Sequence, residues 1–209
     1  MMFKRVATLT AIAGVAVSLS ACGINNIPTK EENAKAKWSD VQVNFQRRAD
    51  LIPQLVATVK GAAAQERITL TQVIQARASA TQVKVDASTI TDPAKFQQYE
   101  QAQNGLSSAL GRLMVINEQY PDLKSNANFQ DLMVELEGSQ NRISVSEKDY
   151  NDAAQDYNLS LRTFPSVIWA KTLYSAEKPM QYFQASATAQ TAPTVDFSDI
   201  ASGPAPASK

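Results

Sequence analysis

The sequence predicts an all-α fold, an antiparallel up-and-down bundle of three long helices with a short fourth. Its 209 residues are 44% hydrophobic but only 7% aromatic, with seven glycines, a balance that favours helix over sheet. Six large side chains recur every seventh residue without a missed step: Phe129, Leu136, Ile143, Tyr150, Tyr157 and Phe164. A repeat of this period forms one stripe of a helix, which must be buried against other helices.

The first helix is predicted to begin at Thr29 or Lys30 and to continue until the helical period is lost at Ala80. Its apolar side chains follow a seven-residue grid: Trp38, Phe45, Ile52, Val59 and Val73. At about 1.5 Å per residue this helix would be about 75 Å long, against about 40 Å and 54 Å for the next two. We therefore expect either a break near Pro53 or Gly61, or N-terminal turns that project toward the membrane as a stalk.

Residues 80–91 are predicted to be a loop. Asp92 followed by Pro93 indicates the start of the second helix, with the aspartate as N-cap, and Pro121 ends this helix after about Gln119.

The third helix is predicted to start at an N-cap Asn128 and to reach about Thr163, before Pro165. Ser166 is predicted to cap a short fourth helix over residues 167–174. The side chains of Tyr182 and Phe183 are expected to pack back on the bundle.

The N-terminus has the three parts of a secretory signal over residues 1–21. Lys4 and Arg5 are followed by an apolar run from Val6 to Leu19, which at about 14 residues is shorter than the about 20 that a membrane-spanning helix needs. The sequence Leu19-Ser20-Ala21-Cys22 resembles the bacterial lipobox, whose cysteine is acylated after cleavage. The alternatives are an ordinary secretory signal with an incidental cysteine, or an uncleaved anchor.

The lipobox resemblance implies lipidation at Cys22, so that acyl chains hold the protein on a membrane facing the periplasm. Gly23, rather than aspartate, follows the cysteine, which favours the outer over the inner membrane. Residues 22–29 are then predicted to be a tether, residues 30–184 the bundle, and residues 185–209 a mostly disordered tail rich in Ala, Thr, Ser and Pro.

Several kinds of chemistry have no candidate residues. Histidine is absent from the sequence, and the single cysteine excludes an intramolecular disulfide and a cysteine-cluster zinc site. The formal net charge is zero and the charges are not clustered, so nothing favours nucleic acid as a partner. We predict no catalytic residue, no metal and no cofactor.

Seven charged residues form the only group with a possible chemical role: Arg47, Arg48, Asp50, Glu66, Glu135, Glu137 and Arg142. Glu135 and Glu137 are two apart on a helix and should point to different faces, so a catalytic pair is not expected. Arg48 and Glu66 lie at heptad positions, where polar residues can fix helix register. The functional alternative is a polar groove that recognises a peptide or a cell-wall fragment.

Several motifs together resemble those of the LemA family of bacterial envelope proteins, over roughly residues 38–197. They include Arg47-Arg48-Ala49-Asp50-Leu51-Ile52-Pro53, Tyr120-Pro121-Asp122-Leu123-Lys124, Asn141-Arg142-Ile143, Tyr150-Asn151, Tyr157-Asn158 and Phe164-Pro165-Ser166. The resemblance implies a mostly helical antiparallel bundle outside the cytoplasmic membrane, without an established enzymatic activity. Many members begin with a membrane-spanning helix, whereas this chain has a lipobox.

Two functions from different classes remain for such a chain, with a passive spacer that has no partner as a third possibility. The favoured hypothesis is a non-enzymatic, membrane-tethered adaptor or scaffold for another envelope protein. The alternative is a carboxylate-dependent enzyme, or a binder of small ligands or cell-wall fragments.

Overall fold

The computed structural model describes residues 23–62, 66–86 and 88–184. Over these ranges the chain forms six helices and no strand, which confirms the predicted all-α class. They are α1 (Asn26–Ala62), α2 (Arg67–Gln82), α3 (Pro93–Gln119), α4 (Pro121–Lys124), α5 (Ala127–Ser160) and α6 (Ser166–Thr172). The predicted signal segment, Cys22 and the predicted tail lie outside the described residues.

The two longest helices, α1 and α5, pack along each other. Lys37 of α1 forms an ion pair with Asp149 of α5, with 3.6 Å between Nζ and the carboxylate. Eleven residues further along α1, Arg48 donates to Gln140 of α5. Residue numbers therefore rise on one helix as they fall on the other, so the pair is antiparallel.

The shorter helices α2 and α3 form a second antiparallel pair that packs on the first. Arg112 of α3 donates to Gln72 of α2, and Gln103 of α3 donates to the carbonyl of Ala80 near the other end of α2. These contacts place the four longest helices in the alternating order of an up-and-down bundle.

The predicted first helix is two helices. It continues through Pro53 but ends at Ala62, directly after Gly61, and α2 begins at Arg67. The expected break therefore occurs at the glycine and not at the proline, and α2 folds back along α1. This resolves the mismatch in length, because α2 covers the half of α1 that a single long helix would have left exposed.

The caps agree with the sequence at one helix and differ at another. Asp92 accepts hydrogen bonds from the backbone N–H groups of Ala94 and Lys95, as predicted for the N-cap of α3. The predicted N-cap of the next helix is wrong, because Asn126 rather than Asn128 accepts the N–H of Phe129.

The C-terminal end of the heptad repeat also differs from the prediction. α5 ends at Ser160 rather than near Thr163, and the next repeat member, Phe164, is 80% exposed. Phe164 precedes Pro165 through a cis peptide bond, and a residue before proline is disfavoured in the helical conformation.

Two further predictions about helix starts are wrong. Ser166 is the first residue of α6 rather than its cap, and its hydroxyl accepts a hydrogen bond from the Asn26 side chain. The predicted tether over residues 22–29 contains the first turn of α1, which starts at Asn26. Ile27 in this turn is fully buried, so packing rather than tether-like composition decides the conformation of this segment.

The buried side chains form two hydrophobic cores at opposite ends of the bundle. We call the first the aromatic core; its large members are Trp38, Phe45, Phe96, Tyr99, Tyr150 and Tyr157, with Phe183 packed against them. We call the second the aliphatic core; it contains Ile52, Leu55, Val59, Leu70, Val73, Leu106, Leu110, Leu113, Leu123, Leu132, Leu136 and the single aromatic Phe129. Along α1 the aromatic core ends at Phe45 and the aliphatic core begins at Ile52.

Candidate functional site

A polar layer separates the two cores, and Arg48 is at its centre. The side chain of Arg48 is only 1% exposed. One guanidinium nitrogen donates to Ser107 Oγ at 2.8 Å and to Gln140 Oε1 at 3.1 Å, and the other donates to Gln103 Oε1 at 2.9 Å. The guanidinium carbon lies 4.9 Å from the centre of the Phe45 ring, where a cation is favoured.

Two glutamates lie near this arginine, and burial changes the acidity of the layer. Burial lowers the pKa of the Arg48 guanidinium from its usual 12.5 to about 10, and the charge of Glu147 opposes this change. Burial raises the pKa of the Glu147 carboxyl to about 7; the charge of Arg48 opposes the rise and that of Glu100 adds to it. Over the described residues, no carboxylate lies within ion-pair distance of the guanidinium, whose Nε has no hydrogen-bond partner.

The cavity beside Arg48 has a volume of about 100 Å³ and is lined by Glu100, Glu147 and Gln184, among other residues. It has room for several water molecules, but ligand pockets usually exceed about 300 Å³. The guanidinium binds side chains from α3 and α5 together. We interpret the layer as a device that fixes the helices in one register.

A larger hollow lies on the surface between α1 and α5, and two of the predicted residues meet there. Arg47 and Arg142 both line this groove, which has a volume of about 460 Å³. Its apolar lining includes Val43 and Val145, which are 48% and 60% exposed. We call this feature the α1–α5 groove.

The charges along the α1–α5 groove are arranged by sign. Asp40 and Asp149 line one end, where Lys37 forms ion pairs with both carboxylates. Arg47 and Arg142 are at the other end, exposed and, within the described part of the chain, without an ion pair or a side-chain hydrogen bond. This end can therefore accept carboxylates beside an apolar surface without first breaking an internal bond.

The other predicted residues do not join either feature. Glu66, in the linker after α1, accepts a 2.8 Å hydrogen bond from the Tyr120 hydroxyl. Asp50 is exposed and accepts a hydrogen bond from Gln46, one turn earlier on α1. Glu135 and Glu137 are both exposed on α5.

The two Tyr-Asn pairs of α5 bind the chain that follows α6. Asn158 donates to the Met180 carbonyl and accepts from the Met180 N–H, at 2.9 and 2.8 Å. Asn151 makes the same two bonds with the backbone of Phe183, at 3.0 and 2.9 Å. Seven helical residues and three extended residues both span about 10.5 Å, so the repeat on α5 matches the spacing of its targets. We call residues 180–183 the strap.

The tyrosines of the same pairs lie in the aromatic core and donate hydrogen bonds to the strap or to the residues just before it. Tyr150 donates to the Gln181 carbonyl at 2.9 Å, and Tyr157 donates to Glu177 at 3.1 Å. Burial raises the pKa of both phenols, with Glu177 adding to the rise at Tyr157. The heptad repeat predicted that both tyrosine rings are buried, which is confirmed, but it did not identify the strap as the partner of their hydroxyls or of the asparagines.

Comparison with known proteins places the chain in a family. A model described as the LemA family matches residues 37–197, well over half of the sequence. The chain belongs to the LemA family. This agrees with the resemblance of its motifs to those of LemA proteins, and the match ends well beyond the strap.

Curated proteins similar to this LemA-family chain include two from Paramagnetospirillum magneticum, named magnetosome protein MamQ 1 and MamQ 2. Each is 28% identical over 198 residues, covering 86% of this chain and 70% of the relative. Magnetosome protein MamQ of Magnetospirillum gryphiswaldense is 27% identical over 157 residues, covering 68% of this chain and 58% of the relative. None of the helices described for this LemA-family chain is long and apolar enough to cross a membrane.

Proposed function

We propose that this protein is a non-enzymatic envelope lipoprotein that acts as an adaptor or scaffold for another envelope protein. The observation that carries the adaptor role is the α1–α5 groove, where Arg47 and Arg142 lack ion-pair partners in the described structure and flank exposed valines. A partner segment that presents carboxylates next to apolar side chains fits this pattern, because both kinds of contact form at once.

The membrane anchor of the adaptor is an acylated Cys22. Support comes from the lipobox resemblance of residues 19–22 and from the position of the only cysteine in the chain. Each buried methylene contributes about 0.8 kcal/mol, so two or more acyl chains give stable anchoring. Gly23, in place of aspartate, favours the outer membrane with the bundle facing the periplasm.

The alternative, a carboxylate-dependent enzyme or a binder of cell-wall fragments, has less support. Its candidate carboxylates, Glu66, Glu135 and Glu137, do not share a cavity. Glu147, whose pKa burial raises to about 7, faces a cavity of only about 100 Å³.

A site-specific crosslinking experiment in cells tests the adaptor role. A photoreactive side chain replaces Val145 in the groove and, as the matched control, Val134, which is 70% exposed on the same helix outside the groove. We expect a protein adduct from position 145 that is weaker or missing from position 134.

The charge pattern gives the second arm of this experiment. The double variant Arg47→Glu with Arg142→Glu should abolish the adduct, whereas the control Arg67→Glu with Arg112→Glu makes the same charge change elsewhere and should leave it. If position 145 gives no adduct, or an adduct that ignores the groove arginines, the adaptor proposal is wrong. Metabolic labelling with a fatty acid tests the membrane anchor separately, and a Cys22→Ser variant should lose the label.

A further inference from the structure

Gly23, the first residue that the structure describes, lies against α6. A methyl group placed on Gly23 would be 3.4 Å from Trp169 Nε1 and 3.7 Å from the Pro165 ring. Three residues later, the Asn26 side chain donates to Ser166 Oγ at 2.9 Å. The N-terminal end of α1 is therefore held against α6 by contacts before and after the helix start.

The same end of the bundle exposes large apolar side chains. Phe164 is 80% exposed, Ile168 is 49% exposed and Leu173 is 61% exposed, all within or next to the seven-residue helix α6. Trp169 is half-buried against the aromatic core beside them. We call the surface around this short helix that carries Phe164, Ile168, Leu173 and the edge of Trp169 the α6 face.

The exposed charged residues within residues 161–180 are all basic. Arg162, Lys171 and Lys178 are exposed in this part of the chain. Glu177 is half-buried and already accepts a hydrogen bond from Tyr157. A surface that combines exposed apolar side chains with basic residues is attracted to anionic headgroups and can insert its apolar groups at the level of the acyl boundary.

We propose that the α6 face lies on the bilayer, so that the bundle stands directly on the membrane instead of hanging from a tether. The inference rests on the proposed acyl anchor at Cys22. Cys22 precedes Gly23, and consecutive Cα atoms are about 3.8 Å apart, so an acylated Cys22 has almost no slack. Because Gly23 is packed against Trp169, the bilayer that takes the acyl chains must also meet α6. Trp169 then lies at the interfacial depth that tryptophan favours.

A lipid surface fits this position better than a protein partner does. Gly23, which packs against Trp169 of the α6 face, directly follows the proposed anchor Cys22. A second protein on this face would therefore have to fit between the bundle and the bilayer. The α1–α5 groove, which begins at Asp40, about four turns along α1 from Asn26, is free of this restriction.

Fluorescence quenching by brominated lipids tests the contact. The full acylated protein is reconstituted in vesicles of phosphatidylcholine and phosphatidylglycerol, with bromine placed on the acyl chains close to the headgroups. The protein has two tryptophans, and Trp38 is buried at least about 18 Å along α1 from Asn26. We expect brominated lipid to quench the emission, and we expect Trp169→Phe to lose most of this quenching.

A second pair of variants keeps the test independent of changes at Trp169. Phe164→Ser removes the most exposed apolar side chain of the α6 face and should weaken the quenching of Trp169. Val134→Ser, the matched exposed control on α5, should leave quenching unchanged. Both positions are exposed, so neither variant should alter the folded structure.

The outcomes separate the contact from the anchor on which it rests. A protein that floats with the vesicles but is not quenched overturns the contact and leaves the anchor standing. A protein that does not float overturns both. A photoreactive group at Phe164 should crosslink to lipid; if it crosslinks to a protein instead, the α6 face is a protein-binding surface and the proposal is wrong.

Discussion

The two cores of the bundle are built in different ways. The aliphatic core is closed by α1, α2, α3 and α5, with α4 at its end, and its buried side chains are almost all Leu, Ile and Val. The aromatic core lacks α2 at its side and is closed by the strap instead. The ring of Trp38 lies 5.1–5.9 Å, between ring centres, from those of Phe96, Tyr99, Tyr150 and Phe183. Aromatic residues of three helices and one residue of the strap therefore share a cluster.

This difference shows how a bundle can use an extended segment in place of a helix. Helices satisfy their own backbone groups, whereas an extended segment needs partners for each N–H and C=O. Asn151 and Asn158 supply these partners at the positions where the strap crosses α5. The closure of the aromatic core therefore depends on specific side-chain hydrogen bonds to an extended segment, whereas the aliphatic core is closed by helices on all sides.

The largest expected effect is on the aromatic core. Ile143→Asp puts a charge at a position that is 1% exposed and should cost several kcal/mol, enough to unfold a typical domain. Circular dichroism and thermal melting measure this, with Ile68→Asp, at a 76% exposed position, as the control. Loss of all helical signal would mean that the two cores fold as one unit. If about half of the helical signal remains, the two cores fold separately. A fully helical variant that melts like the wild type would contradict the placement of the heptad stripe.

The polar layer between the cores should show the next largest effect. Arg48→Ala opens a cavity and leaves Gln103, Ser107 and Gln140 without this hydrogen-bond partner, and should lower the free energy of unfolding by about 2–5 kcal/mol. Arg48→Met keeps most of the volume and should cost clearly less. Urea unfolding compares the two variants. If Met and Ala cost the same, the hydrogen bonds rather than the packing of Arg48 connect the cores; if neither costs anything, the layer has no structural role.

Loss of a strap contact should have a smaller and more local effect. Asn158→Leu removes two hydrogen bonds to the Met180 backbone and should cost about 1–3 kcal/mol. The strap should then be cut faster by a protease of broad specificity while the aliphatic core remains protected. Asn141→Leu, an exposed asparagine on the same helix, is the control. Equal proteolysis of the two variants would mean that Asn158 does not hold the strap.

The smallest effect is a dependence of stability on pH. The folded-state pKa of Glu147, about 7, is above its usual value of 4.5, so the folded protein binds this proton more tightly than the unfolded chain does. The stabilisation is complete below pH 4.5 and is lost as the pH rises through about 7. Glu147→Gln should therefore flatten the unfolding free energy over this range. An unchanged pH profile would show that Glu147 is solvated and does not titrate in this window.

Helical periodicity was enough to predict much of the bundle. The repeat members from Phe129 to Tyr157 are all buried, and the restart at Asp92 and Pro93 is where the pattern indicates. Phe164 continues the repeat, but the helix ends before it. The seven-residue period alone takes no account of the proline that follows Phe164. The break after Gly61 was one of two candidates, and local sequence could not choose between glycine and proline without the packing of α2.

The candidate site was less predictable because its partners come from different helices. Gln103 is seven residues from both Phe96 and Leu110, so its polar side chain on an apolar grid was a signal for the partner of Arg48. Arg47 and Arg142 belong to the charged group that the sequence singles out, and only the packing of α1 on α5 brings them to one groove. The expectation that Phe183 packs back on the bundle is confirmed, whereas Tyr182 is 39% exposed. The hydrogen bonds of the strap could not be predicted, since residues 180–183 carry no periodic pattern and their partners are distant asparagines.

The way in which the two asparagines hold the strap limits the kinds of change that this region tolerates. Both bind main-chain atoms, so these contacts do not depend on the side chain of Gln181, although Asn158 also donates to the Tyr182 hydroxyl at 2.7 Å. Insertion of one residue between Met180 and Phe183 would instead displace one attachment point by about 3.4 Å, beyond the reach of a hydrogen bond. Related chains should therefore vary at the position of Gln181 while the length of this stretch stays the same.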